Sequence, residues 1–205
     1  MKPGELHVWL VHVDRLREEN LPEAAPGELA RAARFQSGVL QRRYLRAHRA
    51  MRAILRSLTD AELIFAVTTT GKPYLPGLPE LKFNLSRSKG MAAVAASLEI
   101  EVGVDIERLR PLDDYMGIAE RFLPPSAAAE FAAFFGHDPE REFFRRWTRT
   151  EAVLKATGEG LMGAGKEIEG EWTITELEAG PEYAAAVAAP RAGLDVVLHA
   201  FGDEL

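Results

Sequence analysis

The chain has 205 residues, 47% of them hydrophobic and 27% charged, which is ordinary for a globular protein with a sizeable core and fits one large domain or two small ones packed together. A formal net charge of -6 argues against nucleic acid as a partner. The absence of cysteine excludes disulfides, zinc–thiolate sites and thiol catalysis, and agrees with a cytoplasmic location.

Residues 6–13 alternate Val8, Leu10 and His12 with Trp9, Val11 and Val13, which predicts a strand. The apolar run is too short, and too soon followed by charge, for a signal peptide or a membrane span. Residues 21–27, with Pro22 and Pro26, read as a loop. Between 28 and 58 the apolar positions recur at spacings of three and four, from Leu29, Ala32 and Phe35 through Val39, Leu40, Tyr44 and Met51 to Ile54 and Leu58. That periodicity predicts a core-facing helical stripe, broken in two at Ser37-Gly38. Its polar face is basic, with Arg31, Arg34, Arg42, Arg43, Arg46, Arg49, Arg52 and Arg56. A short strand is expected at 64–68, then a long shaped loop rich in Gly and Pro that holds a strand at 82–85. Strands at 91–96 and 102–106 are joined by a turn at 97–101. Helices are predicted at 115–122, 126–135 and 140–157, and closing strands at 172–177, 183–188 and 195–201.

Strands, helices and strands thus occur twice in order, about a seam near 98–101. AAVAA recurs at 92–96 and at 185–189, although an alanine-rich pentapeptide recurs readily by chance and supports a duplication only weakly. The layout predicts an α+β fold of two similar subdomains, 1–98 and 99–205, each a small antiparallel sheet with helices on one side, packed as a pseudo-dimer.

Two segments stand out chemically. In GVDIERLRP, residues 103–111, Asp105 and Glu107 are two apart and share a strand face, while Val104 and Ile106 point to the core. A solvated face and a metal site both fit that pattern. In FFRRWTRTEAVLKATGEGL, residues 143–161, Phe143, Phe144, Trp147 and Leu154 form one helical stripe, with Glu151 inside it and Lys155 at its edge. An isolated buried carboxylate is costly, and a Glu–Lys pair serving only the helix would lie opposite the apolar face, so the position of Glu151 points to function. Asp105, Glu107 and Glu151 together offer hard oxygens suited to Mg²⁺ or Mn²⁺. Magnesium usually shares its shell with substrate phosphates, and phosphate-binding candidates are present. Gly71 allows close backbone approach, Lys72 is a point charge and Pro73 fixes the chain, although the spacing is not that of a P-loop. Ser86, Arg87 and Ser88 group hydroxyls around a guanidinium, and Arg31 adds a cation. Each of these fragments also reads as a solvated turn or face.

The ordered set GKPYLPGLPELKFNLSRS, GVDIERLRP, AERFLPP and WTRTEAVLKATGEGL resembles the 4′-phosphopantetheinyl transferases of the larger, two-subdomain class, over residues 31–161. The resemblance implies Mg²⁺-dependent transfer of phosphopantetheine from coenzyme A to a serine of an apo acyl, peptidyl or aryl carrier protein, with adenosine 3′,5′-bisphosphate as by-product. It implies Asp105, Glu107 and Glu151 as metal ligands, Lys155 at the pyrophosphate, and Arg31, Gly71, Lys72, Pro73, Ser86 and Arg87 at the coenzyme. Within that reaction Glu151 is the candidate base, acting with Asp105 and Lys155. A monomer is implied, its halves playing the part of paired subunits, with no membrane or nucleic-acid partner. Carriers of this kind are acidic helical bundles. The stretch 115–135, with Met116, Phe122, Leu123 and Phe131, is the candidate docking surface, and these residues also read as core. Two positions depart from the family pattern: Arg87 stands where a histidine is usual, and Thr150 where a lysine precedes the glutamate. A metal-dependent nuclease or phosphoesterase, and a coenzyme-A-binding module without turnover, are the competing readings.

Overall fold

The computed structural model describes residues 1–202, with every side chain except those at positions 161 and 162; residues 203–205 of the expected second subdomain lie outside the described residues. The N-terminal alternation becomes strand β1 (Glu5–His12), which sends Leu6 and Val8 to one core and Trp9 and Val11 to another. The predicted helical stripe is two helices, α1 (Pro26–Ala32) and α2 (Gly38–Arg56), the second starting at the expected break. Pro26 opens α1, and the Glu28 carboxylate accepts from the Ala25 N–H at 2.7 Å, which satisfies one of the unpaired donors of the first turn. Strand β2 (Ala66–Val67), within the strand expected at 64–68, forms a small hairpin with β3 (Pro73–Tyr74), which lies in the expected loop. There follow β4 (Leu81–Ser88), β5 (Met91–Leu98), β6 (Gly103–Arg108), α3 (Tyr115–Phe122), α4 (Pro125–Ala132), α5 (Pro139–Thr157), β7 (Thr173–Glu176), β8 (Tyr183–Ala189) and β9 (Asp195–Phe201). In α5 the Asp138 side chain caps the Arg141 N–H at 2.9 Å, Pro139 begins the first turn, and Gly158 ends the helix in the left-handed region at φ 75°.

The strands make two larger sheets, ordered β4-β5-β1-β9 and β6-β8-β7. Strand, helix and two strands (β1, α2, β4, β5) are followed by the same succession (β6, α5, β7, β8), and β4-β5-β1 has the order of β7-β8-β6. The two AAVAA runs lie on the corresponding strands β5 and β8, each paired on both sides. Alternate alanines on each run face opposite cores, because both faces of the strand are covered. The mixed α+β architecture is therefore as expected. Helix α2 covers the outer face of the first sheet through Ala47, Met51, Ile54 and Leu55, and α5 covers the outer face of the second through Ala152 and Val153. The inner faces meet in a shared core of Leu6, Val8, Ala93 and Ala95 against Val104, Ile106, Ala185 and Val187.

At the turn 97–101 the chain crosses from one sheet to the other, between β5 and β6. The structure differs from the sequence reading at three places. Strand β9 returns to pair in parallel with β1, so the last strand lies in the sheet of the first half, which is mixed and not purely antiparallel. Helix α4 stops at Ala132, where the Phe134 N–H turns back to the Phe131 carbonyl and leaves Phe135 94% exposed. The stripe of α1 and α2 is buried from Tyr44 onward, whereas Leu29, Val39 and Leu40 are exposed.

Candidate active site

The site is built where β6 passes beneath α5. Gly103 sets that distance: a Cβ there would overlap the Ala152 carbonyl oxygen and the Ala156 backbone nitrogen. With strand and helix this close, the alternation along β6 turns Asp105 and Glu107 toward the helix that carries Glu151 and Lys155. All four side chains line one cavity of about 390 Å³, together with Ser86 and Arg87 from β4 and Trp147 from α5.

Asp105 is buried. Its Oδ1 accepts from Lys155 Nζ at 2.6 Å and from Ser86 Oγ at 2.8 Å, while its Oδ2 is buried with no hydrogen-bond partner among the described residues. Glu107 takes its contacts on Oε2, from Ser88 Oγ at 2.8 Å and Arg110 Nη1 at 3.3 Å. Burial, and then the negative charge of Asp105, push the Glu151 carboxyl above the ordinary carboxylate range; Lys155 pulls it down and Glu107 adds to the rise. The cavity thus concentrates negative charge that Lys155 offsets only in part. Among the described residues no three His, Asp or Glu side chains stand in a ready-made metal cage. The donor set nonetheless fits a hard cation: the acids offer oxygen alone, Asp105 keeps an unspent buried oxygen, and magnesium completes its shell with water and substrate phosphate rather than protein.

The other residues singled out in the sequence are distributed around this cavity. The Arg87 guanidinium stacks over Tyr44, 5.0 Å from its ring centre, and lies 5.8 Å from that of Phe35, at the cavity's margin. Arg31, at the end of α1, contributes positive charge beside Tyr44 and Arg87 but does not line the cavity. Gly71, at φ 88°, makes the tight turn of the β2–β3 hairpin, its N–H donating to the Thr68 carbonyl at 3.0 Å. Lys72 and Pro73 border a separate cavity of about 290 Å³ with Lys82, Phe83 and Glu101. Lys72 is engaged there: its ammonium meets Glu101 Oε2 at 2.6 Å and donates to the Ala156 carbonyl at 2.9 Å, which ties the hairpin to the last turn of α5. Thr150 is buried on another side of α5, lining a small cavity with Arg146 and Arg149 and not the cavity of the acids.

Most of the basic face of α2 is already neutralised. Arg43 pairs with Asp14, Arg46 and Arg49 with Glu18, and Arg52 with Glu28. In the stretch 115–135, Leu123 and Phe131 are core, while Met116 and Phe135 are exposed. Sequence reasoning missed Asn84, Arg110 and Glu101, and it read Ser86 and Ser88 only as phosphate-binding candidates, whereas here both hydroxyls also contact carboxylates. The signal was in the sequence: in LKFNLSRS, Asn84, Ser86 and Ser88 alternate on one strand face in step with Gly103, Asp105 and Glu107.

The model of the 4′-phosphopantetheinyl transferase superfamily matches residues 101–189, the segment that contains β6, α5 and β8. The 4′-phosphopantetheinyl transferase HetI of Nostoc sp. is 34% identical over 181 residues, covering 84% of this chain and 76% of HetI. The 4′-phosphopantetheinyl transferase psf-1 of Bacillus pumilus is 36% identical over 138 residues, 64% of this chain and 57% of that protein. The 4′-phosphopantetheinyl transferase Sfp of Bacillus subtilis is 30% identical over 104 residues, 51% and 45% respectively. Two halves of like order, with an acid-lined cavity where they meet, are thus accompanied by similarity along most of the chain. The chain belongs to the 4′-phosphopantetheinyl transferase superfamily and is an enzyme of that class.

Proposed function

We propose that the protein transfers the 4′-phosphopantetheine group of coenzyme A to a serine of an apo carrier protein, in a Mg²⁺-dependent reaction at the cavity between β6 and α5. The observation that carries this reading is the meeting of Asp105, Glu107, Glu151 and Lys155 in one cavity, bordered by Arg87. Asp105, Glu107 and Glu151 hold the cation. When bound, Mg²⁺ neutralises the negative charge that develops on the coenzyme's phosphates. Lys155 faces the pyrophosphate from the side of the acids, and Arg87, with Arg31 behind it, faces the coenzyme's phosphates from the side of α2. Gly71, Lys72 and Pro73 border the neighbouring cavity and contribute to the coenzyme's seat.

Glu151 is the base. It accepts a proton from a serine hydroxyl, directly or through a water molecule. The serine oxygen bonds to the phosphorus that carries the pantetheine arm and the bridging P–O bond breaks. Its electron pair leaves with adenosine 3′,5′-bisphosphate, and the hydroxyl proton passes to Glu151. Arg87 binds phosphate as a permanent cation, so the histidine usual there is not needed for binding. The carrier, an acidic helical bundle, docks on the outer residues of α3 and the turn after α4, where Met116 and Phe135 are exposed and Arg121 is basic. The protein acts as a monomer, since one chain supplies both halves of the site.

The test is a panel of apo carriers from fatty-acid, polyketide and peptide synthesis, incubated with the protein, coenzyme A and Mg²⁺. Intact-protein mass spectrometry should show the gain of one phosphopantetheine on at least one carrier, and Asp105→Ala should abolish it. No gain on any carrier rejects the reading.

A further inference from the structure

Among the described residues strand β6 is the edge of its sheet, so no neighbouring strand accepts its outward N–H groups. They are met instead by side chains of β4. Asn84 Oδ1 accepts from the Val104 N–H at 3.0 Å, Ser86 Oγ from the Ile106 N–H at 3.3 Å, and Ser88 Oγ from the Arg108 N–H at 3.1 Å. Side chains two apart on β4 thus match N–H groups two apart on β6, because both strands advance at the same pitch in the same direction. Each serine hydroxyl also has a proton to give. Ser86 donates to Asp105 at 2.8 Å and Ser88 to Glu107 at 2.8 Å. Asn84 lies level with Gly103, which has no side chain to hold, and serves the backbone alone.

We propose that Ser88 is a positioning residue, which fixes one oxygen of Glu107 so that the other is left for the divalent cation, as Ser86 does for Asp105. This rests on the cation-site reading above. The pattern of contacts supports it. Ser88 and Arg110 both act on Glu107 Oε2, and Ser86 and Lys155 both act on Asp105 Oδ1, so each acid is held by a single oxygen. One hydroxyl sets both the strand edge and the carboxylate, so the angle between the two acids is carried by β4, an element of the other sheet. Partners that orient metal-binding carboxylates in this way typically change metal affinity by about 10-fold or more when removed.

The test is a Mn²⁺ titration of the full chain by electron paramagnetic resonance, with coenzyme A present, on the wild type, Ser88→Ala and Ser88→Thr, paired with thermal unfolding of each. Ser88→Ala should bind Mn²⁺ about 10-fold more weakly, and Ser88→Thr, which keeps the hydroxyl, should restore most of that loss. The unfolding temperature of Ser88→Ala should move by no more than a few degrees, because Arg108 is exposed and water can take its N–H. Wild-type binding with an unchanged Ser88→Ala affinity overturns the positioning role, and a fall in unfolding temperature alone then marks Ser88 as structural. A wild type that takes up no Mn²⁺ overturns the cation reading and this inference with it.

Discussion

Lys155 Nζ stands 2.6 Å from Asp105 Oδ1 and joins the outer helix α5 to the edge strand β6 beneath it. The carboxylate is buried and its partner only partly so, and the two are not equivalent. Removing the lysine leaves an acid in low dielectric with only Ser86 as donor. Lys155→Met should therefore abolish transfer and cost about 1–3 kcal/mol in urea unfolding. Adding Asp105→Asn should recover most of the stability and none of the activity. A double variant as unstable as Lys155→Met would refute the pairing as the source of the loss.

Gly103 allows β6 to approach α5, and its missing side chain is a condition of the site. Gly103→Ala should destabilise the protein by about 3 kcal/mol, since the atoms in the way are backbone and cannot swing aside. Chemical unfolding reads this directly; a variant of wild-type stability would mean that strand and helix are further apart.

Lys72 grips Glu101 and the end of α5 without any ligand. Lys72→Ala should lower the unfolding temperature of the coenzyme-free protein by several degrees, because it removes a partly buried ion pair and leaves the Ala156 carbonyl without that donor. If the lysine serves the coenzyme alone, the free protein will unfold as the wild type does and only coenzyme binding will change.

His48 is held below its ordinary value of 6.5 by burial, against the opposing hydrogen bond of its Nδ1 with the Tyr44 carbonyl at 2.8 Å. The unfolded chain therefore takes up this proton more readily than the folded one. Above the ordinary value neither form is charged at His48 and nothing is lost; as pH falls below it, stability falls, until the folded-state value is also passed. Thermal unfolding between about pH 7.5 and pH 5 should show this slope in the wild type and a shallower one in His48→Gln. Equal slopes would remove His48 as its cause.

Helix α5 and strand β6 were legible because their patterns are local. The period of α5 is set by its own stripe of Phe143, Phe144 and Leu154, its caps are Asp138 and Gly158, and β6 alternates within six residues. The parallel return of β9 to β1 was not legible, since a strand's sequence encodes which face is buried and not which neighbour it takes. Nor was the basic stripe of α2 readable as mostly neutralised, because Asp14, Glu18 and Glu28 come to it from earlier loops and helix α1.

The sequence by itself determined the chemical inventory and the elements that bear it: an acid pair two apart on a strand, a misplaced glutamate and a lysine on a helix, and an ordered set of motifs with one family's pattern. Only the tertiary structure decided how these residues divide the work. It brought Ser86 and Ser88 against the carboxylates, Lys72 against Glu101 and the end of α5, and Thr150 to a different cavity. The physical reason is reach: periodicity fixes the direction of a side chain from its own backbone, whereas its partner is fixed by the packing of segments far apart in the chain.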